Sequence, residues 1–141
     1  MRVWLVDTNV LLDVIGADEA FGERSARTLT GCARTGVLVV NPVVLAEVSA
    51  QLESFEELNN LVPATLFRRD DIPPEASFLA GRAYARYKRR GGQKGRMLAG
   101  FLIGAHATVE GFGLISRDEG YRSFFDLEPL NPAASWRYRC P

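Results

Sequence analysis

Three acidic side chains stand where an open parallel sheet would gather them. Asp7 follows the apolar run Arg2-Val3-Trp4-Leu5-Val6, and Asp118 comes just after Leu114-Ile115-Ser116. Glu47 lies one turn into the helix that Asn41-Pro42 opens after Val37-Leu38-Val39-Val40. Short apolar runs of this kind, bounded by turn signals, read as buried strands. Open parallel sheets bind their ligands beyond the carboxyl ends of the strands. Gathering carboxylates in one crevice is unfavourable unless a cation stands among them, because like charges raise each other's pKa. Oxygen ligands suit Mg²⁺ or Mn²⁺, and such an ion can activate water and stabilise charge on a phosphodiester being cleaved. Each acid also has a plainer reading. Asp7 could cap a helix, Glu47 could be surface charge and Asp118 could be a turn residue. No two are close in sequence, so spacing alone leaves both readings open.

The elements that must position these acids alternate in type. Strands are expected at residues 2–6, 37–40 and 114–116, with an extended piece near 65–67 and a last strand near 127–130. Helices are expected from Thr8, over 19–34, from Pro42 to about Glu53, from about Phe55, and over 73–90, where Gly91-Gly92 stops the chain. Residues 97–110 are apolar nearly all round, which predicts a buried helix, and a short helix follows Asp118. This alternation predicts a single domain over residues 1–141, a three-layer α/β/α fold with a mostly parallel central sheet.

Composition bounds the partners. The 141 residues suffice for one domain with its own core. The longest apolar stretch is interrupted and too short to cross a membrane, and the N-terminus carries no targeting pattern. Cys32 and Cys140 have no paired spacing and read as reduced thiols of a cytoplasmic protein. Seventeen basic and seventeen acidic residues cancel, so net charge says nothing about nucleic acid. The distribution says more: Arg82, Arg86, Lys88, Arg89, Arg90, Lys94 and Arg96 occur in one stretch without an acid. Such a run is usually a solvated helix face, but it can also attract an RNA backbone, with Tyr84 and Tyr87 available for base stacking.

The residues also resemble a known family. Val6-Asp7-Thr8-Asn9-Val10-Leu11-Leu12 is similar to the opening motif of PIN domains, and Asn41-Pro42-Val43-Val44-Leu45-Ala46-Glu47-Val48 to their second. Phe101-Leu102-Ile103-Gly104-Ala105-His106-Ala107 resembles the third, and Leu114-Ile115-Ser116-Arg117-Asp118 the fourth. The four are in the family's order, and VapC-type toxins, which pair with an antitoxin, resemble this chain most. The resemblance implies a PIN-like domain and a Mg²⁺- or Mn²⁺-dependent endoribonuclease with Asp7, Glu47 and Asp118 as ligands. It further implies that Thr8, Asn9 and Ser116 orient carboxylates or the attacking water, that the protein is a homodimer, and that a cognate antitoxin covers the acidic cleft. Asp126 cannot be matched to a ligand.

The departure falls in the third motif, where Gly100 stands at the position family members fill with Asp. Glycine supplies no ligand and costs a helix roughly 1 kcal/mol relative to alanine, so it is a poor choice unless another backbone packs closely against it. The exchange implies impaired cleavage, by deliberate replacement to make a toxic protein expressible or by natural inactivation. The intact remainder of the motifs favours the former. The alternative is a non-catalytic module that binds RNA or antitoxin, with Gly100 native. A phosphohydrolase using Asp7 as nucleophile would commonly need a second acid where Asn9 stands. His106, the one histidine, and Gly104 read as packing residues.

Overall fold

The apolar run at the start of the chain becomes the middle of the sheet. In β1 (Arg2–Val6) burial rises from an exposed Arg2 to Leu5 and Val6, which have no exposed surface. Strands β2 (Gly36–Val40), β3 (Phe67–Arg69) and β4 (Gly113–Ile115) complete a four-stranded sheet, all pairings parallel, in the order β3-β2-β1-β4. A strand with a neighbour on both sides and helices over its faces needs apolar residues at nearly every position. Trp4-Leu5-Val6 and Leu38-Val39-Val40 meet that demand. The structure is a computed structural model that describes residues 1–92 and 97–134. Lys94 and Arg96 of the basic run, and Cys140, lie outside the described residues.

Among the described residues six helices flank the sheet: α1 (Thr8–Ile15), α2 (Gly22–Thr35), α3 (Pro42–Ser49), α4 (Phe55–Leu61), α5 (Pro74–Arg89) and α6 (Leu98–Glu110). The expected α/β/α architecture is therefore observed. Helix α1 packs on α2, α5 on α6, and α3 touches both α1 and α6. A 3₁₀ turn (Glu119–Ser123) comes after β4. None of the described helices is long and apolar enough to cross a membrane.

Three boundaries differ from expectation, each for a local reason. Helix α3 stops at Ser49, short of Glu53, and Ser54 already caps α4 by accepting from the Glu57 N–H at 3.1 Å. The extended piece lies at Phe67–Arg69 because β2 sets its register, pairing Leu38 with Phe67. The expected last strand shrinks to a single bridge between Ile115 and Leu130. Leu130 sits between Pro129 and Pro132, which offer no N–H to extend a ladder.

The winding decides where a ligand could enter. From β1 the chain proceeds to β2 and β3 on one side, then returns through α5 and α6 to lay β4 on the other. The strand order therefore reverses beside β1, which is where open sheets of this kind leave a crevice.

Candidate active site beyond β1 and β4

Asp7 is the first residue past β1, and its main-chain N–H donates to the Ile115 carbonyl of β4 at 2.9 Å. Its side chain, 5% exposed, has both oxygens engaged. Oδ1 accepts from the Thr8 N–H at 2.8 Å, so Asp7 does cap α1. Oδ2 accepts from the Ser116 hydroxyl at 2.6 Å, the Tyr121 hydroxyl at 3.0 Å and the Asn9 amide at 3.3 Å. Ser116 in turn accepts from the Asp118 N–H at 2.9 Å, and Asn9 Oδ1 accepts from the Arg117 N–H at 3.1 Å. The Thr8 hydroxyl donates to Glu47 Oε1 at 2.7 Å. One hydrogen-bonded net thus links Asp7, Thr8, Asn9, Glu47, Ser116 and the backbone of Asp118. Asp118 also caps the 3₁₀ turn through Oδ1, which accepts from the Gly120 N–H at 2.8 Å. Asp126 is exposed.

Burial raises the pKa of Asp7 above the ordinary carboxylate value. Hydrogen bonds from Ser116, Tyr121 and Thr8 oppose that rise, and the charge of Asp118 adds to it. The Tyr121 hydroxyl is pushed up by burial and then by Asp7, with Asp118 and Glu47 contributing. It therefore stays protonated and serves as a donor. Glu47 and Asp118 are tied to the surroundings of Asp7 by hydrogen bonds, Glu47 through the Thr8 hydroxyl and Asp118 through its N–H on Ser116. Tyr121 carries no motif signal in the sequence, since an aromatic in a short turn looks like ordinary core.

Among the described residues, no three His, Cys, Asp or Glu side chains are set to hold one metal ion. The donor chemistry still suits a hard divalent cation, because the crevice offers carboxylate oxygens without sulfur or imidazole. Gly100 occupies the first turn of α6, and a Cβ built there meets nothing within 4 Å. No neighbouring backbone explains a glycine at that position. Gly104, one turn on and on the same face, is the opposite case. A Cβ there would fall 2.5 Å from Phe125 and 2.9 Å from the Tyr121 ring. Packing requires glycine at 104, as expected, and leaves room for a side chain at 100.

Two further groups hold the frame. Asp13 of α1, 4% exposed, receives Arg117 Nε at 2.7 Å and Nη2 at 2.9 Å, plus the Ser25 hydroxyl at 2.9 Å. The guanidinium also lies over the Phe21 ring at 4.1 Å. This clamp ties the residue between Ser116 and Asp118 to the helix that Asp7 begins. On sequence alone Asp13 looks like surface charge, so the clamp is not legible there.

Asn41 secures α3, which carries Glu47. Its Oδ1 accepts from the Val44 N–H at 3.0 Å, and its amide lies 3.1 Å from His106 Nδ1. Because Asn41 Nδ2 can only donate, Nδ1 accepts and the ring is the neutral tautomer protonated at Nε2. His106 is 1% exposed. Burial lowers its pKa, with the charges of Asp70 and Glu110 pulling the other way. A lowered pKa fixes the sign of the pH effect. Above about pH 6.5 both folded and unfolded chains hold a neutral ring. Below it the unfolded chain takes up a proton first, so stability is lost as pH falls. The melting temperature is expected to drop between pH 7 and 5.5, and His106→Leu to flatten that drop. An identical pH profile in parent and variant would refute the assignment.

The described members of the basic run, Arg82, Arg86, Lys88, Arg89 and Arg90, are all exposed on α5 and its C-terminal cap. The tyrosines are less open than the sequence suggests. Both are half-buried: Tyr84 packs on Phe101 at 5.4 Å between ring centres, and Tyr87 on Phe101 and Phe124 at 5.5 and 5.4 Å. Helical spacing turns them inward onto α6 while their charged neighbours face solvent.

A family model described as PIN domain matches residues 4–125. No curated protein matches the chain significantly. Among solved structures, VapBC2 from Rickettsia felis, bound to a DNA fragment from its promoter, is similar with a TM-score of 0.73 at 17% identity, over 92% of this chain and 98% of that one. FitAcB from Neisseria gonorrhoeae gives 0.61 at 21%, over 92% and 97%. VapC20 from Mycobacterium tuberculosis, described as a sarcin-ricin loop cleaving toxin, gives 0.63 at 15%, over 89% and 99%. At these identities the likeness is one of fold.

Proposed function

The chain belongs to the PIN-domain family, whose members are generally nucleases, and from that premise we propose that it is a VapC-type endoribonuclease impaired at residue 100. The observation that carries the reading is the buried Asp7 carboxylate, held by Ser116, Tyr121 and Asn9 with the charges of Glu47 and Asp118 nearby. Burying a carboxylate beside like charges costs stability unless the site has a use for it. A bound Mg²⁺ or Mn²⁺ would supply activated water and charge neutralisation at the scissile phosphate. Asp7, Glu47 and Asp118 would hold it. Ser116 and Asn9 fix the Asp7 carboxylate, Thr8 fixes Glu47, and Tyr121 excludes water from the floor of the crevice.

The metal reading is tested without turnover. Mn²⁺ titrated into the chain is expected to enhance water-proton relaxation, and Asp7→Asn to weaken that binding. A titration indifferent to Asp7→Asn, or soaked crystals with Mn²⁺ density only away from the three acids, would overturn it.

We assign an RNA substrate on the charge of α5. Replacing Arg89 and Arg90 together by Ala is expected to weaken RNA binding and to lower the slope of log K against log salt by about 1.4 for a single strand. An unchanged slope would return that face to plain solvation. A cognate antitoxin and a homodimer complete the proposal. An apolar cleft of about 440 Å³, lined by Leu11, Val14, Leu29, Leu61 and Leu66 among others, supports a protein partner. Val14, Leu61 and Leu66 are 38%, 41% and 50% exposed there.

A further inference from the structure

A second cleft, of about 450 Å³, opens where the end of α5 meets the segment after the 3₁₀ turn. Arg86 and Arg90 line it, with Tyr87, Gly92, Ser123 and Phe124. Its position is fixed by chain geometry. Ser123, which lines it, ends the turn whose Tyr121 hydroxyl donates to Asp7 at 3.0 Å, so one short turn contributes to both the cleft and the acidic crevice. Arg86 and Arg90 are one helical turn apart on one face. Among the described residues neither has a carboxylate within ion-pair distance, in contrast to Arg117, Arg68 and Arg122.

The local field decides the kind of ligand. A helix C-terminus alone carries about half a negative charge and would repel an anion. Two guanidinium groups outweigh it and leave the cleft positive. Guanidinium groups bind phosphate with directed, paired hydrogen bonds, and the Ser123 hydroxyl adds a neutral donor and acceptor. The walls are aromatic: Tyr87 and Phe124 meet at 5.4 Å between ring centres and 90° between planes. Glycine at 92 keeps this wall in place, since a Cβ there would lie 2.6 Å from the Tyr87 ring. Positive charge beside aromatic surface, in a volume of the size that ligand pockets take, fits a nucleotide better than a bare anion.

The geometry points to this cleft as a nucleotide subsite, which takes one phosphate and base of the RNA strand flanking the bond to be cleaved. The assignment rests on the ribonuclease reading and adds to it the residues that grip substrate away from the acids. Arg86 and Arg90 hold the phosphate, Ser123 orients it, and the Tyr87–Phe124 wall covers the base. Strand recognition then comes from α5 and the 3₁₀ turn, while the acids select only a phosphodiester.

The test uses the full chain with Gly100 in place, so that binding is read without cleavage. Uridine 5′-monophosphate and inorganic phosphate are titrated separately and followed through the main-chain amide signals of Gly92 and Ser123. Saturable shifts are expected, with the nucleotide binding at least about tenfold tighter than phosphate. Anisotropy of a labelled twelve-nucleotide single strand is then compared in parent, Arg86→Ala, a cleft-filling Ser123→Phe and Arg27→Ala, the last an exposed arginine of α2 outside the basic run. The first two variants are expected to weaken binding about tenfold or more, and Arg27→Ala by less than threefold. Equal affinity for nucleotide and phosphate, or equal losses in Arg86→Ala and Arg27→Ala, would overturn the subsite while leaving the ribonuclease reading intact. Absence of RNA binding by the parent would remove both.

Discussion

Gly100→Asp is expected to raise metal-dependent RNA cleavage by about 10²–10³-fold over the parent, the usual scale for restoring one group that stabilises developing charge. The fold has room for the change, since a Cβ at position 100 meets nothing within 4 Å. Local energetics favour it as well. The first turn of α6 contains no acid, and a carboxylate there gains about 0.3–1 kcal/mol from the free N–H groups at the helix start. If the carboxylate completes the proposed metal site, repulsion from Asp7, Glu47 and Asp118 stands against that gain, and a bound cation relieves it. Gly100→Asp should therefore melt higher in Mn²⁺ than in chelator, by more than the parent does. Cleavage should vanish with chelator and fall to the parent's level when Asp7→Asn is added. A variant that folds, gains no Mn²⁺ dependence in its melting and leaves RNA intact would hand the case to a non-catalytic module in which glycine is native.

Asp13→Ala is expected to cost about 3 kcal/mol of stability, at the lower end for breaking a buried pair because Arg117 is partly exposed. The side chains are 5% and 27% exposed, and the contact is bidentate. Removing the acid strands a guanidinium over Phe21 and leaves the Ser25 hydroxyl without its acceptor. Adding Arg117→Met to Asp13→Ala should recover part of the loss, because no charge is then left unpaired. Urea unfolding reads both, and a loss below about 1 kcal/mol in the single variant would show that the clamp contributes little. The residue between Ser116 and Asp118 moves with Arg117, so the same variant is expected to weaken Mn²⁺ binding.

The sheet is legible in the sequence because burial on both faces leaves a plain mark, the apolar runs ending at Val6, Val40 and Ile115. Asn41-Pro42 announces a helix start, and Gly91-Gly92 a helix end, since cap chemistry is local. Side chains whose role is set by a distant partner are not legible. Asp13 meets Arg117 across 104 residues, and nothing beside either in the chain marks the pair. Tyr121 shows the same limit, as its partner Asp7 lies 114 residues away. Tyr84 and Tyr87 mislead because a dense run of charge hides which face of the helix they occupy. The strand near Leu130 fails on proline, whose effect on pairing depends on which edge it meets. Of the acids, placement near strand ends can be anticipated, but the donors that surround Asp7 cannot.

The reversal of winding beside β1 has a bearing on the chain during synthesis. Strand β1 emerges first, yet its neighbour β4 is made more than a hundred residues later, and Asp7 meets Ser116 across a separation of 109. Contacts that distant are slow to form and cannot form until both ends have left the ribosome. A growing chain can complete α1, pair β1 with β2 and join Thr8 to Glu47 across 39 residues, but Ser116 and Asp118 cannot reach Asp7 until β4 has been made. The crevice beside β1 is therefore a late product of synthesis: its second wall does not exist until β4 and the turn after it have emerged.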